Sequence, residues 1–167
     1  MVKIAFGGSM GSGKDTAVNY LSFKFPQNTR LSFADAIYDI LKFAQKKCGF
    51  NEIKDRKFLQ FIGTEWGRDI DENVWINIVL NTHIPKNGFV SDVRFPNEFY
   101  ALKNNGWICI KLLRDKQKDR IGTGDEKHSS ETALDTIPDS DWDYIIDNNG
   151  TLEDLCSNLD NIIKMIK

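Results

Sequence analysis

The sequence predicts an α/β protein, a parallel sheet of about five strands covered on both faces by helices in three layers. Two observations carry that prediction. Short apolar runs alternate with stretches of helical periodicity along the whole chain. The first apolar run ends in glycines and passes directly into a helix, the junction that places ligands at the carboxyl end of a strand. The composition fits one domain spanning 1–167. With 41% hydrophobic and 28% charged residues, a chain of this length buries roughly 70% of its unfolded surface without staples or a partner.

The elements follow in order. Val2–Phe6 is a short apolar strand. From about Gly13 a helix places Val18, Leu21 and Phe25 at helical spacing until Pro26 stops it. Thr29–Phe33 is a second strand, and Asp35 caps a helix running through Ile37, Ile40, Leu41 and Ala44 towards Gly49. Two further helices cover Ile53–Trp66, with Phe58, Leu59 and Ile62 inward, and Asn73–Asn81, with Trp75, Ile76, Val79 and Leu80. Phe89–Val93 is a buried strand, Pro96 opens a helix that ends at Asn104–Asn105–Gly106, and Trp107–Leu113 is the next strand. Arg114–Lys127 is charged, carries Gly122 and Gly124 and lacks apolar periodicity, which predicts a mobile lid. Tyr144–Ile146 is the last strand, Asn148–Asn149–Gly150 turns the chain, and Leu152–Ile166 is an amphipathic closing helix.

Charge and cysteine usage exclude several classes. The chain carries 22 basic against 24 acidic residues, a net charge of −2, so no overall basic field exists to hold nucleic acid. No apolar run approaches the roughly 20 residues of a membrane span, and Met1–Val2–Lys3 leads straight into a strand rather than a signal segment. Cys48, Cys109 and Cys156 form no CxxC and no close pair, which fits a reducing compartment. The expectation is a cytoplasmic protein acting on small molecules.

Gly8-Ser9-Met10-Gly11-Ser12-Gly13-Lys14 satisfies G-x-x-x-x-G-K between the first strand and the first helix. Glycines let successive N–H groups turn inward around a phosphate, the helix adds its positive dipole end, and the lysine reaches the β- and γ-phosphates. This implies a P-loop NTPase fold that binds a nucleoside triphosphate. The alternative is a glycine-rich turn without a ligand, which the lysine and both flanks disfavour. The Ser/Thr usual after the lysine is replaced by Asp15, followed by Thr16. That carboxylate either holds Mg²⁺, directly or through water, or simply occupies the first helical turn, where negative charge is favourable. Thr16 can still bond a phosphate.

A GTPase is excluded by the lack of N-K-x-D and of D-x-x-G after a strand. Asp92, at the end of a buried strand, stands where such enzymes place the acid that orients metal or attacking oxygen, and Arg94 offers a fork for a second phosphate. Otherwise Asp92 is a capping acid and Arg94 a surface ion pair with Glu98. Arg56, Lys57, Gln60, Thr64 and Arg68 occupy the stretch between strands two and three where phosphate-transferring enzymes insert their acceptor-binding segment. Gln60 and Thr64, four apart, share a helix face with Arg56. Arg56 and Lys57 alone could be a solvated face, and Trp75 reads as core before it reads as a stacking platform. Arg114, Lys116, Lys118 and Arg120 are the cations a closing lid needs, although any one is also explicable as a solvated charge. His128 reads either as a site residue or as a polar helix start; His83 gets no role.

Gly11-Ser12-Gly13-Lys14-Asp15-Thr16, Leu31-Ser32-Phe33-Ala34-Asp35, Phe58-Leu59-Gln60-Phe61-Ile62-Gly63-Thr64 with Arg68 and Trp75, Asp92-Val93-Arg94-Phe95-Pro96-Asn97-Glu98, His128-Ser129-Ser130-Glu131 and Asn148-Asn149-Gly150 together resemble phage-type deoxynucleoside monophosphate kinases. The order matches over nearly the whole chain. The resemblance implies a nucleoside monophosphate kinase-like fold, with an acceptor-binding helical segment over about 35–83 and a lid over about 114–130. It implies transfer of the ATP γ-phosphate to monophosphates such as dGMP and dTMP, with Mg²⁺, in a homodimer in the cytoplasm, the host's if the chain is phage-encoded. Lys14, Arg68, Asp92 and Arg94 would then be catalytic. Gly8, Gly11, Ser12, Gly13, Lys14, Asp15 and Thr16, with Arg114 and Arg120 of the lid, would bind ATP. Asp15, Thr16 and Asp92 would hold the metal. Asp35, Ile37, Tyr38, Arg56, Gln60, Gly63, Thr64, Arg68, Trp75, Glu98, His128 and Glu131 would form the deoxynucleotide pocket.

Two other readings compete. Another small-molecule P-loop kinase, dephospho-CoA or phosphomevalonate kinase-like, would share the phosphate loop but lack the Gln60, Thr64 and Arg68 face. A regulatory nucleotide-binding module would keep Lys14 yet tolerate loss of Asp92, Arg94 and the lid cations, all of which are present.

Overall fold

The first strand lies in the middle of a five-stranded sheet of order β2-β3-β1-β4-β5, in a computed structural model that describes residues 1–84, 86–115 and 132–166. The strands are β1 (Lys3–Gly7), β2 (Asn28–Leu31), β3 (Asn87–Val90), β4 (Ile108–Leu113) and β5 (Tyr144–Asp147). β1 runs parallel to β3, with Ile4 opposite Phe89, and to β4, with Ile4 opposite Ile108; β4 runs parallel to β5, with Ile110 opposite Tyr144. The chain divides into two compact units, Met1–Arg30 with Ile84–Lys167, and Leu31–His83.

In the first unit, helices α1 (Lys14–Lys24), α6 (Pro96–Asn104) and α7 (Leu152–Met165) connect or follow these strands. Strands covered on both faces read as continuous apolar runs, and Ile4, Ala5, Phe6, Phe89 and Val90 are indeed buried. Of these, Ile4, Phe6 and Phe89 join Ala17, Val18 and Leu21 of α1 and Leu155, Leu159, Ile162 and Ile163 of α7 in one core. The helical spacing of the α7 set puts its apolar stripe on the sheet side. Thr151 caps α7 by accepting from the Asp154 N–H, while the Asp154 carboxylate accepts in return from the Thr151 N–H at 2.8 Å. Because the connection from β3 through α6 to β4 passes over β1, the chain winds outward in both directions from the centre of the sheet. The carboxyl end of β1 is therefore the switch point, where ligands bind in such sheets.

The second unit holds α2 (Asp35–Cys48), α3 (Arg56–Gln60), a π-helical stretch (Phe61–Trp66), α4 (Gly67–Ile70) and α5 (Val74–Asn81). Its centre is Trp75. The indole N–H donates to the Gly63 carbonyl at 2.8 Å, and the ring lies so close to Gly67 that a Cβ there would stand 2.5 Å from Trp75 Cζ2.

Several boundaries differ from the sequence reading. The strand expected to reach Val93 ends at Val90, leaving Ser91, Asp92 and Val93 in the loop beyond it. The helix expected from Ile53 starts at Arg56, because the Asp55 side chain accepts from the Phe58 N–H and fixes the cap there. Asp35 is not a cap. It is the first helical residue, with Ala34 before it, and Ser32 Oγ accepts from the Ala34 N–H at 3.1 Å.

Two measurements test this packing. Replacing Trp75 by Phe leaves the buried Gly63 carbonyl without its donor and should cost about 1–3 kcal/mol in urea denaturation; an unchanged midpoint would remove that bond from the account. Asp160 of α7 accepts from Lys24 Nζ and from the Tyr20 hydroxyl of α1. The Lys24 bond, then the Tyr20 bond, hold its carboxyl below the ordinary value of 3.8. A carboxyl whose folded pKa is depressed adds stability above its unfolded pKa and loses it as the pH falls through the folded value. Stability should therefore fall below about pH 4, and fall less steeply in Asp160→Asn. Equal slopes in the two proteins would contradict the coupling.

Candidate functional site

Between β1 and α1 the chain must reverse its hydrogen-bonding pattern within six residues, and glycines make that possible. Gly8 and Gly13 adopt φ of 135° and 103°, where a side chain is strained. A Cβ on Gly8 would also stand 2.3 Å from the Leu112 carbonyl, and one on Gly13 would stand 2.4 Å from Asn148 Nδ2. The loop closes on itself. The Ser12 N–H donates to the Ser9 carbonyl, and the Ala17 N–H donates to the Gly13 carbonyl to begin the helix. Lys14 Nζ bridges the Gly8 and Ser9 carbonyls at 2.8 Å each, so the ammonium is held against the loop. Ser12 Oγ is buried and makes no hydrogen bond among the described residues, a polar atom of the kind a bound oxyanion satisfies.

Asp15, one residue further, lies in the first turn of α1. Its Oδ1 accepts from Ser91 Oγ at 2.7 Å and from Arg30 Nη2 at 2.9 Å. Thr16 is exposed and Asp92 half-buried. Among the described residues no three His, Cys, Asp or Glu side chains gather as a ready metal cage. Single carboxylates beside a phosphate loop suit Mg²⁺, which keeps several waters and takes most remaining ligands from substrate phosphates.

A cavity of about 300 Å³ adjoins the loop, lined on one side by Gly8, Ser9, Met10 and Lys14. Arg94, Lys111, Arg114, Asp135 and Trp142 are among the residues that line the rest. The Arg94 position is fixed from behind: Glu98 is 1% exposed, and its Oε2 accepts from the Arg94 and Phe95 N–H groups at 2.8 and 3.1 Å. The contacts shown for the Glu98 carboxylate are thus with backbone at the start of α6. Lys111 and Trp142 were not among the residues singled out from sequence. Lys111 interrupts the apolar run Ile-Cys-Ile-Lys-Leu-Leu of β4, a charge in a buried strand that is itself a signal; it pairs with Asp139 at 2.7 Å. The buried Trp142 Nε1 makes no hydrogen bond among the described residues. Lys116, Lys118, Arg120, His128 and Glu131 lie outside the described residues.

The second unit holds the other candidates. Gly63 packs against Ile37, whose Cδ1 stands 2.9 Å from where a Cβ would lie. Lys54 Nζ stands 5.8 Å from the centre of the Tyr38 ring. Asp35 and Arg56 are exposed; Gln60, Thr64 and Arg68 are half-buried, and Arg68 Nη1 donates to the Glu72 carbonyl at 3.4 Å. Gln60 ends α3 and Thr64 lies in the π-helical stretch. Bonding there runs from i to i+5, so the four-residue spacing no longer implies one shared face. Such stretches are frequent at functional sites. Trp75 is buried in the core of this unit.

A family model described as Deoxynucleotide monophosphate kinase matches residues 50–159. A protein of Acanthamoeba polyphaga mimivirus named "Putative deoxynucleotide monophosphate kinase" is 32% identical over 95% of this chain and 94% of its own length. "Uncharacterized protein ORF77" of Ictalurid herpesvirus 1 is 35% identical over 81% of this chain, and the match spans only 60% of that longer protein. Among solved structures, shikimate kinase from Aquifex aeolicus superposes with a TM-score of 0.55 over 98% of this chain and 96% of its own, at 10% identity. That likeness shows a shared fold and no more. With the phosphate loop at the switch point of a parallel sheet and the family match over residues 50–159, the chain belongs to the deoxynucleotide monophosphate kinase family.

Proposed function

We propose that the protein transfers the γ-phosphate of ATP to deoxynucleoside 5′-monophosphates, giving the diphosphates that supply DNA synthesis. The observation that carries this reading is the phosphate loop with Lys14 held at its mouth beside a cavity lined by Arg94, Lys111 and Arg114. A cluster of cations beside the phosphate loop fits an oligophosphate, and the family supplies the acceptor class. No helix among the described residues is long and apolar enough to cross a membrane. Action in a cytoplasm is part of the same proposal. A homodimer belongs to the same proposal.

In the reaction, an oxygen of the acceptor phosphate attacks the γ-phosphorus, the bond to the β,γ-bridging oxygen breaks, and ADP leaves. The nucleophile is already ionised near neutral pH, so no strong general base is needed. Positioning and electrostatics supply most of the acceleration. Loop amides and Lys14 hold the donor phosphates; the Lys14 ammonium exchanges its two loop carbonyls for phosphate oxygens. Asp15, Thr16 and Asp92 would hold Mg²⁺, which neutralises charge on the phosphate oxygens when bound. Arg56, Arg68 or Arg94, the last with its backbone held by Glu98, clamps the acceptor phosphate. Gln60 and Thr64 contact the acceptor nucleoside, and Arg114 and Arg120 bind the donor from the lid.

The test is a coupled ADP-release assay with ATP, Mg²⁺ and each of dAMP, dGMP, dCMP, dTMP and their ribose counterparts. Turnover with some deoxynucleotides is expected. Silence across the panel, with ATP still binding, would discard the kinase reading in favour of another acceptor or a regulatory role. Lys14→Ala should abolish turnover. Arg68→Ala should raise the acceptor KM and lower kcat by about tenfold or more while ATP binding is retained; unchanged kinetics would sink the Arg68 assignment.

A further inference from the structure

The turn Asn148–Asn149–Gly150 follows β5, and nothing in the proposed chemistry uses it. Asn148 is nevertheless buried, with 8% exposure, an unusual place for an amide unless its bonds are all made. Its Nδ2 donates to the Ser12 carbonyl at 2.8 Å, a buried contact across 136 residues of sequence. The Asn148 N–H donates to the Leu113 carbonyl at 2.7 Å, which roots the residue on the end of β4. Its side chain therefore rises from a fixed point to a fixed acceptor. The packing is tight from the loop side as well, since any Cβ on Gly13 would run into Asn148 Nδ2 and approach Leu155 of α7.

A peptide group is planar and trans, so its C=O and N–H point in opposite directions. The carbonyl of Ser12 and the N–H of Gly13 belong to one peptide. Pinning that carbonyl onto Asn148 turns the Gly13 N–H the other way, away from Asn148. From these contacts we propose that Asn148 is a positioning residue of the phosphate loop: it aims the Gly13 amide at the donor's phosphates and keeps it aimed in the empty enzyme. This rests on the proposed reading of the loop as a triphosphate site and adds a residue to it.

The experiment compares the wild-type chain with Asn148→Asp, which keeps the shape but loses the donor, and Asn148→Ser, whose hydroxyl is too short to reach. Thr151→Ala is the control: it weakens the cap of α7 without touching the loop. Calorimetric titration with ATP and with inorganic tripolyphosphate gives the affinities, and steady-state kinetics give KM for each substrate. Both Asn148 variants should lose about tenfold to a hundredfold in affinity for both probes, with the acceptor KM unchanged. Thr151→Ala should lose stability but keep its affinity. A purely structural turn would instead move the control and the Asn148 variants together, which would overturn the proposal. Wild-type binding matched by the Asn148 variants would overturn it and leave the triphosphate reading standing; wild-type protein that binds neither probe would overturn both. Should the variants fail to fold, the wild-type protein still decides by nuclear magnetic resonance. ATP should then shift the Gly13 amide while the Asn148 side-chain amide stays protected from exchange, and fast exchange of that amide would overturn the assignment.

Discussion

A loop that points its amides inward must point its carbonyls into the protein, and each of those carbonyls needs a donor. That requirement organises the first unit. Gly8 and Ser9 offer their carbonyls to Lys14, Ser9 also accepts from the Ser12 N–H, Gly13 accepts from Ala17 of the helix it opens, and Ser12 accepts from Asn148 across the sheet. The donors come from the loop, from α1 and from the turn after β5. The glycine conformations are strained for any other residue, so the loop holds its shape only because these bonds and the surrounding core fix it. Lys14 is the one donor of the set that a ligand can recruit. Its side chain is flexible and charged, and the Gly8 and Ser9 carbonyls that it holds are neutral, weaker acceptors than a phosphate oxygen.

Where local chemistry decides, the sequence was informative. The phosphate loop announced itself because a G-x-x-x-x-G-K pattern between an apolar run and a helix has few other uses, and the core stripe of α7 followed from periodicity alone. Element ends were less legible. β3 stops at Val90 because parallel pairing with β1 runs out at the Ala5–Val90 pair, a limit set by the neighbouring strand. Asp35 looked like a cap by residue type, yet the Ser32 hydroxyl, three residues earlier, takes up the Ala34 amide. Long-range partners were invisible altogether. Nothing in the local pattern tells that Asn148 meets Ser12 or that Ser91 and Arg30 converge on Asp15.

The second unit shows how residue spacing alone can imply a wrong geometry. Gln60, Thr64 and Arg68 invite an α-helical wheel, and the chain answers with a π-helical stretch over Phe61–Trp66. The reason lies in the packing around Trp75. Its indole needs an acceptor and finds the Gly63 carbonyl, while Gly67 has no side chain to keep the ring out. Two glycines and one tryptophan, spaced four and eight residues apart, thus form a compact lock around the wider turn. A bulkier residue at either glycine would meet Ile37 or Trp75 within 2.9 Å. The residues proposed to contact the acceptor are carried by this lock, so their directions depend on Trp75 even though the tryptophan itself is buried.

Asp15 brings the two levels together. By sequence its carboxylate had two explanations, a ligand for Mg²⁺ or a charge favoured at a helix start. Both of its hydrogen bonds fall on Oδ1, one from the cationic Arg30 and one from the neutral Ser91. A lone carboxylate beside a triphosphate would repel it; a carboxylate whose charge is answered by Arg30 does so less. The pairing also ties α1 to β2 and to the loop after β3 that carries Asp92. Replacing the usual hydroxyl with an acid therefore changes more than the ligand set of a cation. It fastens the start of the phosphate-loop helix to the strand end that presents Asp92, so loop and acid keep their spacing before any nucleotide arrives.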